Sequence, residues 1–217
     1  MFEYKGLKIS WLGHDSFRIQ NSQIIYIDPF EIKTGVKADL IFITHEHFDH
    51  CSPKDLKKII NPETIIVASN LCKSELSGLK VKEIKYVKPG DEFEVKGVKV
   101  KAIPAYNINK FRQPGVPFHP KENQGLGYLL DIGGVTIYHT GDSDFIPEME
   151  GLKPDIALIP VSGTYVMTAD EAIQAVSKIM PKIAIPMHYG AIVGSKKDAE
   201  RFSQKASCEV HILEKEE

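Results

Sequence analysis

The sequence has few cysteines and no long apolar run. Its three cysteines, Cys51, Cys72 and Cys208, are widely spaced and include no CxxC pair, so a disulfide framework is not expected. No apolar run approaches the roughly 20 residues that span a bilayer, and the first residues lack the apolar centre of a secretory signal. We therefore expect a reduced, cytoplasmic protein that does not enter the membrane.

Arginine is also scarce. Only Arg18, Arg112 and Arg201 supply guanidinium groups among 27 basic residues, and the formal net charge is −2. Because a surface that binds nucleic acid needs an excess of positive charge, a nucleic acid is not an expected partner. The 42% of hydrophobic residues is ordinary for a packed globular chain. The length of 217 residues, without a linker or repeat, favours one domain over residues 1–217.

The apolar pattern predicts alternating strands and helices. Residues 7–28 alternate with period two and predict a meander of short strands, while near-continuous apolar runs at 38–44 and 182–188 predict strands buried on both faces. Helices are predicted after Ser52, Thr168 and Ser195 from their capping residues, and a short helix over residues 69–79. Residues 106–124 lack periodicity and predict a long loop, which in compact domains is often functional.

One predicted buried strand runs directly into a cluster of potential metal ligands. Residues 43–52 read ITHEHFDHCS. In an extended segment His45, His47 and Asp49 can share one side, and a turn after Asp49 can return His50 beside them. Imidazole and carboxylate groups suit zinc, and also iron or manganese. The cluster therefore predicts a metal site with enough donors for two ions.

Two more predicted strands end in potential ligands. Asp142 ends TIYHTGD, and His188 ends IAIPMH. Because the carboxyl ends of parallel strands meet at one edge of a sheet, we expect these side chains to contribute to the site. The alternatives are a turn-stabilising role for Asp142 and a hydrogen-bonded core position for His188.

The segment His45–His50 matches the H-x-H-x-D-H signature of the metallo-β-lactamase superfamily, and the chain resembles that family from WLGHDSF to its last strand. In the same order, Asp28 matches the family's early strand-end aspartate, Asp142 its metal-bridging aspartate and His188 its last histidine. The combination is most similar to the branch that contains ascorbate-phosphate lactonase.

The resemblance implies an α/β fold: a four-layer αββα sandwich of two similar halves, with the metal site at one edge between the sheets. It also implies a metal-dependent hydrolase with two divalent ions, zinc first and manganese or iron as alternatives. One departure is the family's middle histidine, since Asn107 stands where we would look for it. Either His119 replaces it from the long loop, or the first ion has only His45, His47 and Asp142 with water.

Candidate roles remain for the other polar residues. Asp49 is the candidate to orient the attacking water and accept its proton. His14 is expected near the site or in a structural hydrogen bond. Candidates for contact with a small anionic ester, lactone or phosphoester are Tyr106, Asn107, Lys110 and Arg112, with a merely solvated loop as the alternative.

Other functions stay open at this point. One is a phosphodiesterase or nuclease of the same fold, although the low arginine content argues against a nuclease. Another is a metal-bearing binding protein without turnover. A di-iron oxygen-reducing role is disfavoured, because relatives with that chemistry carry glutamate where His47 stands. The expected partner is a small-molecule substrate, and a homo-oligomer is an open alternative.

Overall fold

The computed structural model describes residues 1–33 and 35–216, which form two compact units. Unit 1 contains residues 1–87 and the carboxy-terminal residues from Leu213 onward, and unit 2 contains Lys88–Ile212. Each unit has one seven-stranded mixed sheet, in agreement with two similar β/α halves. The single domain over residues 1–217 stays a prediction.

The sheet of unit 1 has its strands in chain order. Its first four strands, β1 (Phe2–Tyr4), β2 (Leu7–Gly13), β3 (Ser16–Gln20) and β4 (Ile24–Ile27), are antiparallel neighbours, as the period-two pattern predicts. The next three, β5 (Leu40–Ile43), β6 (Ile65–Ser69) and β7 (Glu83–Val87), run parallel to β4 and to each other. All of β5 is buried, and it ends two residues before His45.

Helix α1 (Pro53–Ile59) packs on this sheet. Ser52 is its N-cap, with Pro53 in the first turn, and the helix buries Leu56 and Ile59 in the same apolar cluster as Ile41 and Ile66. The helix predicted over residues 69–79 is wrong, because only a short 3₁₀ turn forms over Asn70–Lys73. At the start of this turn the Ser69 hydroxyl oxygen accepts from Leu71 N–H, a local side-chain bond that competes with a regular helix.

The sheet of unit 2 is continuous but not in chain order. It contains β8 (Glu92–Val95) and β9 (Val98–Ala105), which are followed by the hairpin β10 (Phe111–Gln113) and β11 (Val116–Pro117) outside the sheet. It continues with β12 (Gly125–Ile132), β13 (Val135–His139), β14 (Ile156–Pro160), β15 (Ile183–Met187) and β16 (Glu209–Val210). The order is β16-β15-β14-β13-β12-β9-β8, parallel from β16 to β13 and antiparallel beyond it.

The segment over residues 106–124 is more regular than the sequence predicted. The hairpin turns at Pro114-Gly115, where Gly115 has a φ of 78°, a conformation that glycine adopts without strain. At its base, Phe118 N–H donates to the Lys110 carbonyl and Asn107 N–H to the His119 carbonyl, both within 3.0 Å. These bonds hold residues 107 and 119 side by side.

Helices α2 (Ala169–Ile179) and α3 (Lys196–Lys205) complete unit 2. Thr168 and Glu171 form a capping box at the start of α2, and Ser195 and Asp198 form one at α3, as predicted. Helix α2 packs against α3 and β14, and α3 packs against β15. The predicted α/β class is confirmed, and none of the helices in the described residues is long and apolar enough to cross a membrane.

Candidate metal centre

Unit 1 gathers the histidine cluster at the end of β5. The His50 and Cys51 N–H groups both donate to the His47 carbonyl, at 2.9 and 2.8 Å, so the chain turns back on itself here. The His45 Nε2 atom lies 3.0 Å from His47 Nδ1, and the His45 and His50 ring centroids are 4.0 Å apart. Three imidazoles therefore share one turn, as the spacing predicted.

Asp28 determines which nitrogen of His50 faces the cluster. The Asp28 carboxylate is buried and accepts from Thr44 N–H, from the Thr44 hydroxyl at 2.6 Å and from His50 Nδ1 at 2.8 Å. Because an ionised carboxylate only accepts hydrogen bonds, the proton sits on His50 Nδ1 and the lone pair on Nε2. This is the tautomer of a histidine that binds a metal through Nε2.

Thr44 determines the tautomer of His45 in the same way. Its hydroxyl donates to Asp28, so the Thr44 oxygen accepts the remaining contact, from His45 Nδ1 at 2.9 Å. The proton of His45 is then on Nδ1, and its Nε2 lone pair faces His47. Sequence reasoning missed Thr44, although its position between a buried strand and His45 was a usable signal.

His14 contacts Asp49, the candidate proton acceptor. The His14 Nε2 atom lies 3.1 Å from Asp49 Oδ2, and the Trp11 indole donates to the His14 carbonyl at 2.8 Å. Because a carboxylate accepts, His14 donates this hydrogen bond and orients Asp49. The structure thus places His14 beside the cluster of unit 1.

Unit 2 brings together its own set of three donors. His119 Nε2 and His188 Nε2 lie 3.4 and 3.3 Å from the same oxygen, Asp142 Oδ2. Two ligands of a tetrahedral zinc ion, each about 2.0–2.1 Å from it, are roughly 3.4 Å apart. The spacing of these three donors therefore fits a shared metal ion.

Asn107 controls the tautomer of His119. The Asn107 amide orientation follows from two backbone groups, since Nδ2 donates to the Tyr165 carbonyl and Oδ1 accepts from His119 N–H. The same Oδ1 lies 2.9 Å from His119 Nδ1, which must therefore carry the proton. The His119 Nε2 lone pair then faces the Asp142 carboxylate, an arrangement that needs a cation between them.

Ser162 has the corresponding role at His188. Its hydroxyl bonds to the Thr164 carbonyl, and its oxygen lies 2.9 Å from His188 Nδ1. The His188 proton is thereby held on Nδ1, and Nε2 is directed at Asp142. Neighbouring His139 accepts from Gly141 N–H at 3.1 Å and so shapes the turn that carries Asp142. Ser162 was also missed from the sequence, where no motif marks it.

The predicted substrate-contacting residues divide into two kinds. The Lys110 ammonium pairs with Glu171 at 2.8 Å and Asp144 at 3.3 Å, so its charge is already neutralised within unit 2. The Tyr106 hydroxyl donates to Glu148 at 3.0 Å, and the Tyr106 side chain is mostly buried. Arg112 is exposed and bonds only to Phe118 among the described residues. Of the two cations, only Arg112 keeps an unneutralised charge.

Cys51, which directly follows the motif, packs in the protein core. It is buried in the apolar cluster of unit 1 with Cys72, next to Leu56 and Ile59 of α1. The hydrogen bond with the Cys51 thiol, together with burial, raises the pKa of Cys72. Both side chains pack here as small apolar groups. Cys51 is therefore part of the apolar core of unit 1 and not of the cluster of donors.

Comparison with known proteins agrees with these features. A family model described as a beta-lactamase superfamily domain matches residues 8–188. The "UPF0173 metal-dependent hydrolase Ta0764" of Thermoplasma acidophilum is 35% identical over 93% of this chain and 92% of its own length.

Two solved structures extend the likeness to nearly the whole chain. A proposed metal-dependent hydrolase from Parabacteroides distasonis is 33% identical, with a TM-score of 0.81 over 96% of this chain and 94% of its own. The metallo hydrolase Igni18 from Ignicoccus hospitalis is 23% identical, with a TM-score of 0.77 over 97% and 96%. At that identity, Igni18 supports the fold alone.

Proposed function

This chain belongs to the beta-lactamase superfamily and is a metal-dependent hydrolase with the metallo-β-lactamase fold, and we propose that it hydrolyses a small anionic ester, lactone or phosphoester. The reaction belongs to the family, whereas the substrate class is our inference. It rests on the exposed Arg112 guanidinium, which pairs with no carboxylate of the described residues.

The observation that carries the metal assignment is the direction of the histidine nitrogens. Asn107 holds the proton of His119 on Nδ1, so that Nε2 presents a lone pair to the negatively charged Asp142 at 3.4 Å. Two electron-rich atoms at this distance repel each other unless a cation lies between them. Asp28 adds a buried carboxylate with no lysine or arginine partner among the described residues, which also favours a bound cation.

We infer that the ligands are those that the sequence resemblance implies, with His119 in the role of the family's middle histidine. The set comprises His45, His47, Asp49, His50, His119, Asp142 and His188. Nitrogen and carboxylate donors of this kind suit two zinc ions, with manganese or iron as alternatives. When bound, such ions supply Lewis acidity, which lowers the pKa of water and polarises the scissile bond.

The chain's own residues handle the proton. Asp49 is partly accessible, with 14% of its side chain exposed, so it can reach a water molecule at the site. His14 donates a hydrogen bond of 3.1 Å to Asp49 Oδ2 and so fixes the direction of the carboxylate that would accept the proton of the attacking water. Asp49→Asn should therefore abolish turnover, whereas His14→Gln should reduce kcat by about 10²-fold through loss of orientation.

Metal stoichiometry tests the ligand assignment. Elemental mass spectrometry should give two ions per wild-type chain and fewer in His119→Ala, while His211→Ala, which removes a half-buried histidine paired with Glu209, should match wild type. The double variant Asn107→His with His119→Ala restores the residue typical of the family at position 107, and it should recover part of the lost metal. Full metal content in His119→Ala would refute the role of His119.

A substrate panel tests the reaction class. The metal-loaded protein should cleave a chromogenic phosphodiester, a lactone or an anionic aryl ester faster than a neutral aryl ester of equal size. A preference for the neutral ester would contradict the proposed charge of the substrate. No turnover of any member, with metals fully loaded, would favour the metal-bearing binding protein instead.

A further inference from the structure

The hairpin β10–β11 carries the one arginine that pairs with no carboxylate in the part of the chain that the structure describes. Arg18 pairs with Glu216, and Arg201 with Asp170. Arg112 instead donates from Nη2 to the Phe118 carbonyl at 2.9 Å. A guanidinium has five N–H donors, so this contact leaves most of them directed at solvent. Its positive charge is therefore available to an external anion.

The Phe118 ring lies beside this guanidinium and contacts a second ring, that of Tyr165. The Arg112 Cζ atom is 5.8 Å from the Phe118 ring centroid, and the Phe118 and Tyr165 rings meet edge to face at 4.7 Å. Tyr165 keeps 38% of its surface exposed, although an aromatic side chain of this size gains from burial. The three side chains form a surface, which we call the recognition surface, that combines one charge with apolar rings.

This recognition surface is bonded to the candidate metal ligands of unit 2. Phe118 directly precedes His119, and Asn107 bonds to the Tyr165 carbonyl at 2.8 Å through the amide whose oxygen holds His119. Tyr165 has a φ of 69°, an uncommon conformation for a tyrosine, which the Asn107 bond stabilises. The Tyr165 backbone is thus held by the residue that orients His119, and Phe118 is the chain neighbour of His119.

We propose that Arg112, Phe118 and Tyr165 determine substrate specificity, and that the substrate is an organic anion with a flat apolar group next to its charge. The inference rests on the proposed hydrolase function and narrows its substrate class. The guanidinium would bind the phosphoryl or carboxyl oxygens, and the rings would pack against the apolar group. Lys110 is not part of this surface, because Glu171 and Asp144 neutralise it.

Binding of two inert ligands tests the proposal without any need for turnover. Isothermal calorimetry on the metal-loaded, full-length protein should show phenylphosphonate binding about tenfold more tightly than methylphosphonate, because only the phenyl group reaches the rings. Phe118→Ala and Tyr165→Ala should each remove most of that preference. Arg112→Ala should weaken both ligands about tenfold or more. Phe111→Ala is the matched control, since Phe111 is an exposed aromatic residue of the same hairpin without a ring contact to Phe118 or Tyr165.

Three results would overturn the proposal: equal affinity for the two ligands, a phenyl preference that survives in both ring variants, and no measurable binding of either ligand. Metal content is measured for every variant, so a loss of binding with metals retained is assigned to the recognition surface. A change of oligomeric state in Phe118→Ala without a change in ligand affinity would assign the rings to a subunit interface and also refute the proposal.

Failure of the proposed hydrolase function remains distinguishable. If no substrate of the panel is cleaved while the preference for phenylphosphonate depends on Phe118 and Tyr165, the proposed hydrolase function is wrong and the proposed recognition surface is supported. If cleavage occurs and the affinities of the two phosphonates are equal, the hydrolase stands and this inference is wrong.

Discussion

Asp28→Asn is the most informative single substitution in unit 1, because it changes one atom in a buried network. In the wild type, Asp28 Oδ2 accepts from the Thr44 hydroxyl at 2.6 Å and from His50 Nδ1 at 2.8 Å, while Oδ1 accepts from Thr44 N–H. The oxygen of the asparagine amide can still accept from Thr44 N–H. Its NH₂ group, however, is a donor that faces two other donors, the Thr44 hydroxyl and His50 Nδ1. The network must then rearrange.

The rearrangement affects metal binding more specifically than folding. His50 can accept from the new NH₂ group only if its proton moves from Nδ1 to Nε2, which blocks the nitrogen that faces the cluster. Substituting the partner that orients a histidine ligand typically costs 10–100-fold in metal affinity. Two buried hydrogen bonds are also disturbed, at about 1–3 kcal/mol each, so the metal-free protein should lose roughly 2–6 kcal/mol of unfolding free energy.

Two measurements separate these effects. Metal affinity is obtained by competition with a chromogenic chelator, and the unfolding free energy by urea denaturation in the presence of a strong chelator. Asp155→Asn is the matched control, because Asp155 is also buried but pairs with Thr136 and Lys182 in unit 2. It should lose stability and keep wild-type metal affinity. Wild-type affinity and stoichiometry in Asp28→Asn would refute the tautomer argument.

Three further predictions concern unit 2. Tyr138→Phe should raise the unfolding free energy by up to about 1 kcal/mol, because the buried hydroxyl has no hydrogen-bond partner in the described structure. Gly127→Ala should cost about 1–3 kcal/mol and weaken metal binding, since the new methyl group would lie 2.7 Å from the Thr140 carbonyl oxygen in the segment that leads to Asp142. Burial alone would raise the pKa of the Glu171 carboxyl, but hydrogen bonds, of which that from Lys110 is the largest, lower this pKa from 4.5 to about 2. The unfolding free energy should therefore fall as the pH falls from 4.5 to about 2.

Control variants test the Tyr138 and Glu171 predictions. Tyr26→Phe removes a hydroxyl that donates to the Val36 carbonyl at 3.0 Å, and it should lower the unfolding free energy while Tyr138→Phe raises it. A destabilised Tyr138→Phe would show that the hydroxyl has a partner, such as an ordered water. The sign of the Glu171 effect follows from proton binding: below pH 4.5 the unfolded chain binds a proton that the folded chain still excludes. Urea midpoints of Glu171→Gln that fall as steeply as wild type between pH 4.5 and 2 would contradict it.

Local sequence patterns predicted most of the secondary structure. The capping residues Ser52, Thr168 and Ser195 each precede a helix that the structure contains, because a cap and its bonded backbone are only three residues apart. The strand before His45 is buried throughout, as its apolar run predicts. The helix predicted over residues 69–79 is wrong: a 3₁₀ turn forms over Asn70–Lys73, with the Ser69 hydroxyl oxygen accepting from Leu71 N–H, and short polar residues favour such local bonds over a helix interior.

The hairpin in residues 106–124 shows the limit of periodicity. Its strands are too short to display a pattern, and only Pro114-Gly115 marked the turn. The ion pair between Lys110 and Glu171 was equally impossible to predict from local sequence, since the two residues are 61 positions apart in the chain. Whether a cation faces a substrate or an internal carboxylate depends on contacts of this range.

The sequence by itself determined the family, the order of the candidate ligands and the chemistry that they offer, because a motif of six residues and strand ends in fixed order are local properties. Only the tertiary structure decided which nitrogen of His45, His50, His119 and His188 carries the lone pair that a metal ion would need. For three of them the partner that sets this choice is distant in the chain: Asp28 and His50 are 22 residues apart, Asn107 and His119 are 12, and Ser162 and His188 are 26. A hydrogen bond between such residues exists only where the folded backbone brings donor and acceptor within about 3 Å.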